Sequence, residues 1–307
     1  MPGDANDTFL PLDTVSSLNW IQDDIEQRFG FKGGRFTNTN TFLAFLIGVL
    51  LTVLVYLFMI YVVPSVPDMA FVGQIFTRPK NLFTVVPATV LFLWGLSILG
   101  LKGRKLKLQA KVLGLEIVPE QPDFVITVHT VKPLLERLHA AVDHPRHFLL
   151  FNRIERALAN LRNLGQVGDV SSILRSQAEN DEDLVSSSYG VLNGFVWAIP
   201  VLGFIGTVMG LSQAIGRFSG VLQATGEISE LKGALQGVTT GLSTAFETTF
   251  VSLVFALILQ LAISFRQSQE LAFLDECNDY CQTKIISKLR LTEAPPSQLD
   301  SAIQSRA

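Results

Sequence analysis

The chain has 307 residues, of which 48% are hydrophobic and 17% are charged, and its formal net charge at pH 7 is -3. Soluble domains carry about 25% charged residues, so this composition favours a membrane protein. The small negative charge excludes the basic surplus with which nucleic-acid binders neutralise phosphates, and no nucleic-acid partner is expected.

Residues 1–40 are polar and contain no early apolar core, so no secretory signal is expected and insertion begins at the first internal span. Apolar residues recur there at helical spacing, which predicts an amphipathic helix in this N-terminal segment. Its acidic face opposes the apolar one and favours docking on protein over anionic lipid. The apolar positions are Val15, Leu18, Ile21, Ile25 and Phe29, and the acidic ones are Asp23, Asp24 and Glu26.

Four hydrophobic stretches are long enough to cross a bilayer, whose core of about 30 Å requires about 20 apolar helical residues. The predicted spans are residues 42–63, 82–101, 184–216 and 233–265. The third stretch is longer than one span, so its helix is expected to project beyond the bilayer or to tilt within it.

A basic cluster directly after the second span predicts the orientation of the chain: Lys102, Arg104, Lys105 and Lys107. The positive-inside rule places such a cluster in the cytoplasm. Both termini are then cytoplasmic, and the outer loops are short, at about residues 64–81 and 217–232. The prediction is a multi-pass membrane protein.

The predicted fold class is all-α, with four transmembrane helices and a helical cytoplasmic domain. In chain order the divisions are residues 1–40, the N-terminal segment; 41–101, spans one and two; 102–184, a cytoplasmic helical loop; 185–266, spans three and four; and 267–307, a cytoplasmic helix with a disordered tail.

The fourth span contains a single charged residue, Glu247, near the middle of its apolar stretch. An ionisable group at the bilayer centre costs at least about 2.5 kcal/mol, so such a residue usually faces a bundle interior or a water-filled path. Around it lie hydroxyl residues, and a strip of small and hydroxyl residues runs down one side of the helix. An alternative stays open, in which the hydroxyls bond to their own helix and Glu247 is a neutral acid that holds two helices together. The strip consists of Gly241, Ala245, Thr248, Thr249, Ser252 and Ala256.

The third span carries a matching set of small residues around one hydroxyl, Thr207. Proline removes a backbone donor, and glycines allow another helix to approach closely. We therefore expect spans three and four to pack through Pro200, Gly203, Gly206, Gly210 and Gly241.

Residues 202–210, LGFIGTVMG, and 241–253, GLSTAFETTFVSL, together resemble the two core helices of the MotA/TolQ/ExbB proton-channel family. The resemblance covers residues 185–275. It implies a homopentamer around two copies of a single-span partner of the MotB/TolR/ExbD type, whose membrane aspartate carries the proton. By motif, Thr207 and Thr249 take the positions of the family's pore threonines.

One position departs from the family pattern. Many TolQ-like and ExbB-like members have a glutamate where this chain has Thr244, and the acid here comes three residues later, at Glu247. Three residues are about one helical turn, so Glu247 occupies a similar face at a different depth. The four-span layout resembles MotA, whereas the motifs resemble TolQ and ExbB.

These features predict the channel subunit of an ion-driven motor in the bilayer, and the alternative is a static helical scaffold without ion flux. We expect no cofactor and no metal, and the transported ion is H⁺ or Na⁺. An enzyme is not expected, because the spans contain no Ser/His pair and the chain contains no HExxH motif. Glu247→Gln and Thr207→Val are both expected to abolish function without preventing assembly. The predicted ion pathway comprises Thr207, Thr248, Thr249, Glu247 and Thr244.

Overall fold

The computed structural model describes residues 18–290, except for 19, 29, 32, 66–69, 116, 120–123, 128, 160, 162–166 and 224–227. The helices in the first half are α1 (Trp20–Asp23), α2 (Ile25–Arg28), α3 (Thr41–Tyr61), α4 (Ala70–Thr77) and α5 (Leu82–Ala110). Those in the second half are α6 (Val131–Ala141), α7 (Leu149–Ala159), α8 (Val167–Ser188), α9 (Gly190–Gln223) and α10 (Ile228–Tyr280). A π-helical turn, Cys281–Ile286, continues α10. The described residues form only two isolated β-bridges and no strand, which confirms the all-α prediction.

Within the described residues, four helical stretches are long and apolar enough to cross a membrane, as predicted. They are Thr41–Tyr61, Leu82–Gly114, Gly168–Gly216 and Leu235–Ile286. The third and fourth extend well beyond a bilayer. A helix rises 1.5 Å per residue, so the 53 residues of α10 extend for about 80 Å. Only part of α10 lies in the hydrocarbon layer, and the rest builds structure outside it.

Contacts between the spans give the direction in which each helix runs. Going along α5, successive residues meet successive residues of α10: Asn81 contacts Glu247, and a Cβ added at Gly95 would lie 2.8 Å from Leu259. These two helices are therefore parallel. Helix α9 is antiparallel to α10, because Gly203 faces Ser252 whereas Gly210 faces Gly241.

Helices α6, α7 and α8 extend the hydrophobic core of the spans along the far part of α10, beside the end of α5 that carries the basic cluster. This end of the bundle is called the basic end below. Aromatic and aliphatic side chains from four segments are buried together there, which explains why the extension of α10 is ordered. Its fully buried members include Trp20, Leu134, Leu138, Phe148, Phe151 and Cys277.

The N-terminal segment differs from the predicted amphipathic helix. Two helices of one turn each replace it, separated at Asp24, while Val15 and Phe29 lie outside the described residues. Asp23 is exposed as predicted, but Asp24 and Glu26 are buried, because Lys105 of α5 lies 2.6 Å from Glu26 and 3.6 Å from Asp24. A buried charge requires a partner, and the paired lysine holds this segment against the end of α5 that carries the basic cluster.

Asn40 links that segment to the first span. Its backbone N–H donates to Glu26 Oε1 at 2.9 Å, and its side-chain oxygen accepts from the backbone N–H groups of Phe42 and Leu43. Asparagine is a favoured N-cap because it satisfies free N–H groups in the first helical turn. The start of α3 is therefore set by residue 40.

The segment predicted as the outer loop 64–81 contains a helix, α4, which packs against the end of α3. A Cβ added at Gly73 would lie 2.7 Å from Val63, so glycine permits this close approach. The second predicted outer loop, residues 217–232, is shorter than expected. Helix α9 continues to Gln223 and α10 begins at Ile228, because each span projects beyond its apolar stretch.

Candidate functional site

Three side chains donate hydrogen bonds to the carboxylate of Glu247. Arg78 and Asn81 come from the segment between α4 and α5, and Ser243 from α10 itself. Arg78 Nη1 donates to Glu247 Oε1 at 2.7 Å, Ser243 Oγ donates to the same oxygen at 2.9 Å, and Asn81 Nδ2 donates to Oε2 at 3.1 Å. The carboxylate is 7% exposed, and Asn81 is completely buried. Charge-assisted hydrogen bonds between guanidinium and carboxylate are among the strongest in proteins. Glu247 is thus the acid of a salt bridge between α10 and the end of α4.

The structure places Glu247 level with the start of α5. Its partner Asn81 lies immediately before α5, at the end of the bundle opposite the basic cluster. Hydropathy could not show this, because the apolar stretch of α10 is longer than a bilayer and its register is set by neighbouring helices. An acid at the rim of the bundle is solvated or paired more readily than one at the centre.

Replacing Glu247 and replacing Arg78 are expected to lower the free energy of unfolding by different amounts. Arg78 is 34% exposed, so in Glu247→Gln its guanidinium can turn to solvent, and we expect a loss of about 1 kcal/mol in the free energy of unfolding. Arg78→Gln leaves a buried carboxylate without its countercharge, and we expect about 1–3 kcal/mol. Unfolding of the purified protein in detergent measures both.

The double variant, Arg78→Gln with Glu247→Gln, provides the control. Contacting residues couple by about 0.5–3 kcal/mol, so the double variant should lose less stability than the two single variants together. Strictly additive losses would show that the two side chains do not interact.

Helices α9 and α10 approach closely through the predicted glycines. A Cβ added at Gly203 would lie 2.7 Å from Ser252 Cβ, and one added at Gly210 would lie 2.8 Å from the carbonyl oxygen of Gly241. Both distances are shorter than a normal carbon contact, so side chains other than hydrogen do not fit. Pro200 lies within α9, two turns from Thr207. The strip of small and hydroxyl residues on α10 is the surface that meets α9.

Gly206→Ala is expected to destabilise this interface by about 1–3 kcal/mol, because overpacking forces the neighbours to move. The added methyl would lie 2.5 Å from Thr248 Oγ1 and 3.0 Å from Thr84 Oγ1. Gly194→Ala in the same helix is the matched control, since its Cβ would meet nothing within 4 Å. Thermal unfolding should show a lowered midpoint for Gly206→Ala alone. Equal midpoints for both variants would contradict the close approach.

Thr207 and Thr249 meet across the α9–α10 interface. Their hydroxyl groups are hydrogen-bonded to each other, and either oxygen can be the donor. Each hydroxyl also lies 3.2 Å from the same two carbonyl oxygens, those of Gly203 and Ala245. A hydroxyl donates one proton and accepts others, so the pair has two alternative proton arrangements. Such a pair can pass a proton by rearranging its hydrogen bonds.

The threonine pair lies level with the start of α5. The adjacent Gly206 faces Thr84, which is only the third residue of α5. Both threonines are partly exposed at the outer side of α9 and α10. Large exposed apolar side chains lie within four residues of each threonine along its helix, so the pair opens onto a hydrophobic face of the chain. These neighbours are Phe204, Val208, Phe246, Phe250 and Leu253.

Thr244 and Thr248 are satisfied within their own helix. Thr244 Oγ1 donates to the carbonyl oxygen of Thr240 at 3.0 Å, and Thr248 Oγ1 donates to that of Ala245 at 3.0 Å. Both side chains are buried, and Thr248 faces Gly206. Serine and threonine commonly bond back to their own helix in membrane spans. The structure therefore brings together Thr207 and Thr249, while Glu247 lies on a different side of α10 with Arg78.

Three further polar residues belong to this region but were absent from the predicted site. Arg78 and Asn81 lie in the segment predicted as an outer loop, and no local pattern linked them to Glu247, which is more than 160 residues away. Ser252 follows Thr249 by one turn toward the basic end. Its hydroxyl is buried and has no hydrogen-bond partner among the described residues. The sequence signal that could have identified Ser252 was its position in the strip of small and hydroxyl residues on α10.

Residues 147–276 match the model of the MotA/TolQ/ExbB proton channel family, which confirms the resemblance seen in the two core helices. The match extends from the turn before α7 to the part of α10 beyond the membrane, and therefore includes Thr207, Thr249 and Glu247. No curated protein and no solved structure matches the chain. The family is one of channels rather than enzymes.

Proposed function

We propose that this chain, whose residues 147–276 are those of a MotA/TolQ/ExbB proton channel protein, is the channel subunit of an ion-driven motor. Five copies form a ring in the bacterial inner membrane around a single-span partner of the MotB/TolR/ExbD type. Both termini face the cytoplasm, as does the domain at the basic end. The ring converts the ion-motive force into mechanical work by turning relative to the partner.

The hydroxyl pair of Thr207 and Thr249 is the observation that carries this proposal. The two hydroxyl groups bond across α9 and α10 and are partly exposed, so a helix packed against that face has access to them. Protons from the outer side pass this pair on their way to an aspartate of the partner. A proton, rather than Na⁺, fits two hydroxyl groups that can exchange donor and acceptor roles.

Ser252 continues this path toward the basic end. Its buried hydroxyl lacks a partner among the described residues and lies about 4.5 Å farther along α10 than Thr249. A proton or a water molecule moving inward would meet an unsatisfied donor there. The membrane potential can drive this proton movement, because one charge crossing 100 mV releases about 2.3 kcal/mol.

Glu247 has a positioning role in this proposal. Its carboxylate is engaged by Arg78, Asn81 and Ser243, and it is separated from the threonine pair by its place on the other side of α10. It anchors α4 to α10 at the rim and thereby maintains the α9–α10 register. The moving proton resides on the partner's aspartate.

Reconstitution tests the proposal. The chain is purified with the single-span protein that accompanies it, its stoichiometry is determined by native mass spectrometry, and proton entry into liposomes is followed under an imposed potential. Partner-dependent flux through a five-to-two complex is expected. An intact assembly that remains ion-tight under every gradient would instead support a static scaffold, in which the hydroxyls serve only to join helices.

A further inference from the structure

A groove opens on the basic end where the loop before α3 meets the turn Pro145–His147 and helix α7. Its volume is about 730 Å³. Three arginines from separate parts of the chain line it: Arg35, Arg146 and Arg156. This arginine groove is far from the threonine pair, and the proposed channel function makes no use of it.

The groove carries excess positive charge. Glu155 is the one acidic side chain among the described lining residues, and it is 3.8 Å from His139 Nε2. Asp181, in an adjoining cavity, is 2.6 Å from Arg153. Among the described residues, no carboxylate forms an ion pair with Arg146 or Arg156. Their guanidinium groups remain available to an anion from outside the chain.

Arg35 and His147 form one wall of the groove. Arg35 donates to Asn152 Oδ1 at 3.0 Å and lies over the ring of Phe36, so its guanidinium is held in place. Burial, followed by the charge effect of His144, lowers the pKa of His147 below its usual value. The Nδ1 atom of His147 is buried and has no hydrogen-bond partner among the described residues.

We propose that the arginine groove binds a phosphate group. Guanidinium forks match the oxygens of phosphate in pairs, and several arginines around one cavity hold it more tightly than lysines would. The walls come from three segments, so a bound phosphate would also join the loop before α3 to α7.

Both a lipid headgroup and a soluble phosphate ester can reach the groove. Gln109 Nε2 donates to the carbonyl oxygen of His147 at 2.7 Å, which places this wall beside residue 109 of α5. That residue is about 12 Å beyond the end of the apolar stretch at Leu101. Headgroup layers extend about 5–8 Å beyond the hydrocarbon core, so this wall of the groove lies a few ångströms outside them, close to the lipid phosphates and open to the aqueous phase.

The test compares two phosphate sources in dodecyl maltoside micelles, which contain no phosphate. Inorganic pyrophosphate is titrated into the full-length protein by calorimetry, and phosphatidylglycerol retained by the protein is counted by native mass spectrometry. The Arg146→Gln/Arg156→Gln variant removes two exposed guanidinium groups without disturbing the bond between Arg35 and Asn152. Arg175→Gln is the matched control, since Arg175 is an exposed arginine of α8 outside the groove.

We expect the wild-type protein and Arg175→Gln to bind at least one probe, and the double variant to bind it at least about 10-fold more weakly. Pyrophosphate binding identifies a soluble ligand, and retention of phosphatidylglycerol alone identifies a lipid. An unchanged melting temperature of the double variant excludes misfolding as the cause. If the wild-type protein binds neither probe, or the double variant binds as tightly as the wild-type protein, the groove is not a phosphate site.

Discussion

Thr207→Val is expected to reduce proton flux through the reconstituted complex by about 10- to 100-fold. Valine preserves the shape of threonine but removes the hydroxyl that bonds to Thr249 across the helix interface. Loss of one well-placed hydrogen-bonding group costs about 1–3 kcal/mol, which corresponds to this range of rates. Flux is measured as acidification of liposomes under an imposed potential, with the partner present.

Two variants show whether the hydroxyl itself matters. Thr207→Ser keeps the hydroxyl and should retain most of the flux. Thr52→Val removes a buried hydroxyl of α3 that bonds only to its own helix, at Gly48, and should conduct as the wild-type protein does. Normal flux in Thr207→Val would remove the threonine pair from the pathway, and equal losses in all three variants would indicate a general packing defect.

The largest loss of stability is expected at the Lys102–Glu270 pair. Lys102 Nζ lies 3.2 Å from both carboxylate oxygens and 2.9 Å from Ser188 Oγ, and both charged side chains are only 1% exposed. Glu270→Gln would leave the ammonium buried without its countercharge, over the ring of Tyr189. Removing one partner of a buried pair costs about 3–5 kcal/mol, so we expect a loss of this size in the free energy of unfolding.

The matched double variant, Lys102→Met with Glu270→Met, removes both charges at similar volume. It should recover most of the lost stability, because apolar side chains often replace a buried ion pair without penalty. Glu179→Gln on α8 breaks the exposed Arg175–Glu179 pair and should cost less than about 0.5 kcal/mol. Chemical unfolding in detergent compares all four proteins. A small effect of Glu270→Gln would mean that solvent reaches Lys102 despite its burial.

The surroundings of Glu247 change its interpretation. As an isolated acid in an apolar helix it indicated an ion path, because unpaired charges are rare in membrane spans. The salt bridge to Arg78 removes the isolation, since the charge is compensated 2.7 Å away at the rim of the bundle. The expected loss of function in Glu247→Gln stays a prediction, and its physical reason would now be displacement of α4 rather than loss of a carrier.

Lys102 and Lys105, in the basic cluster, also have surroundings that the sequence did not predict. The cluster predicted the orientation of the second span through the preference of lysine and arginine for the cytoplasmic surface. The structure adds that both lysines are buried in ion pairs, with Glu270 and with Asp24 and Glu26. A charged residue next to a span does not by itself reveal whether water or another helix covers it.

The sequence alone determined the four spans, the all-helical class and the family of the two core helices. Hydropathy over about 20 residues is a local property that the bilayer thickness translates directly into a span, and the glycine and threonine spacing reflects one helix face. The tertiary structure decided the register between helices. It brought Thr249 to Thr207, placed Glu247 level with Asn81 at the rim, and paired it with Arg78. These pairings depend on how far one helix is shifted along another, and that shift is set by packing across the whole bundle.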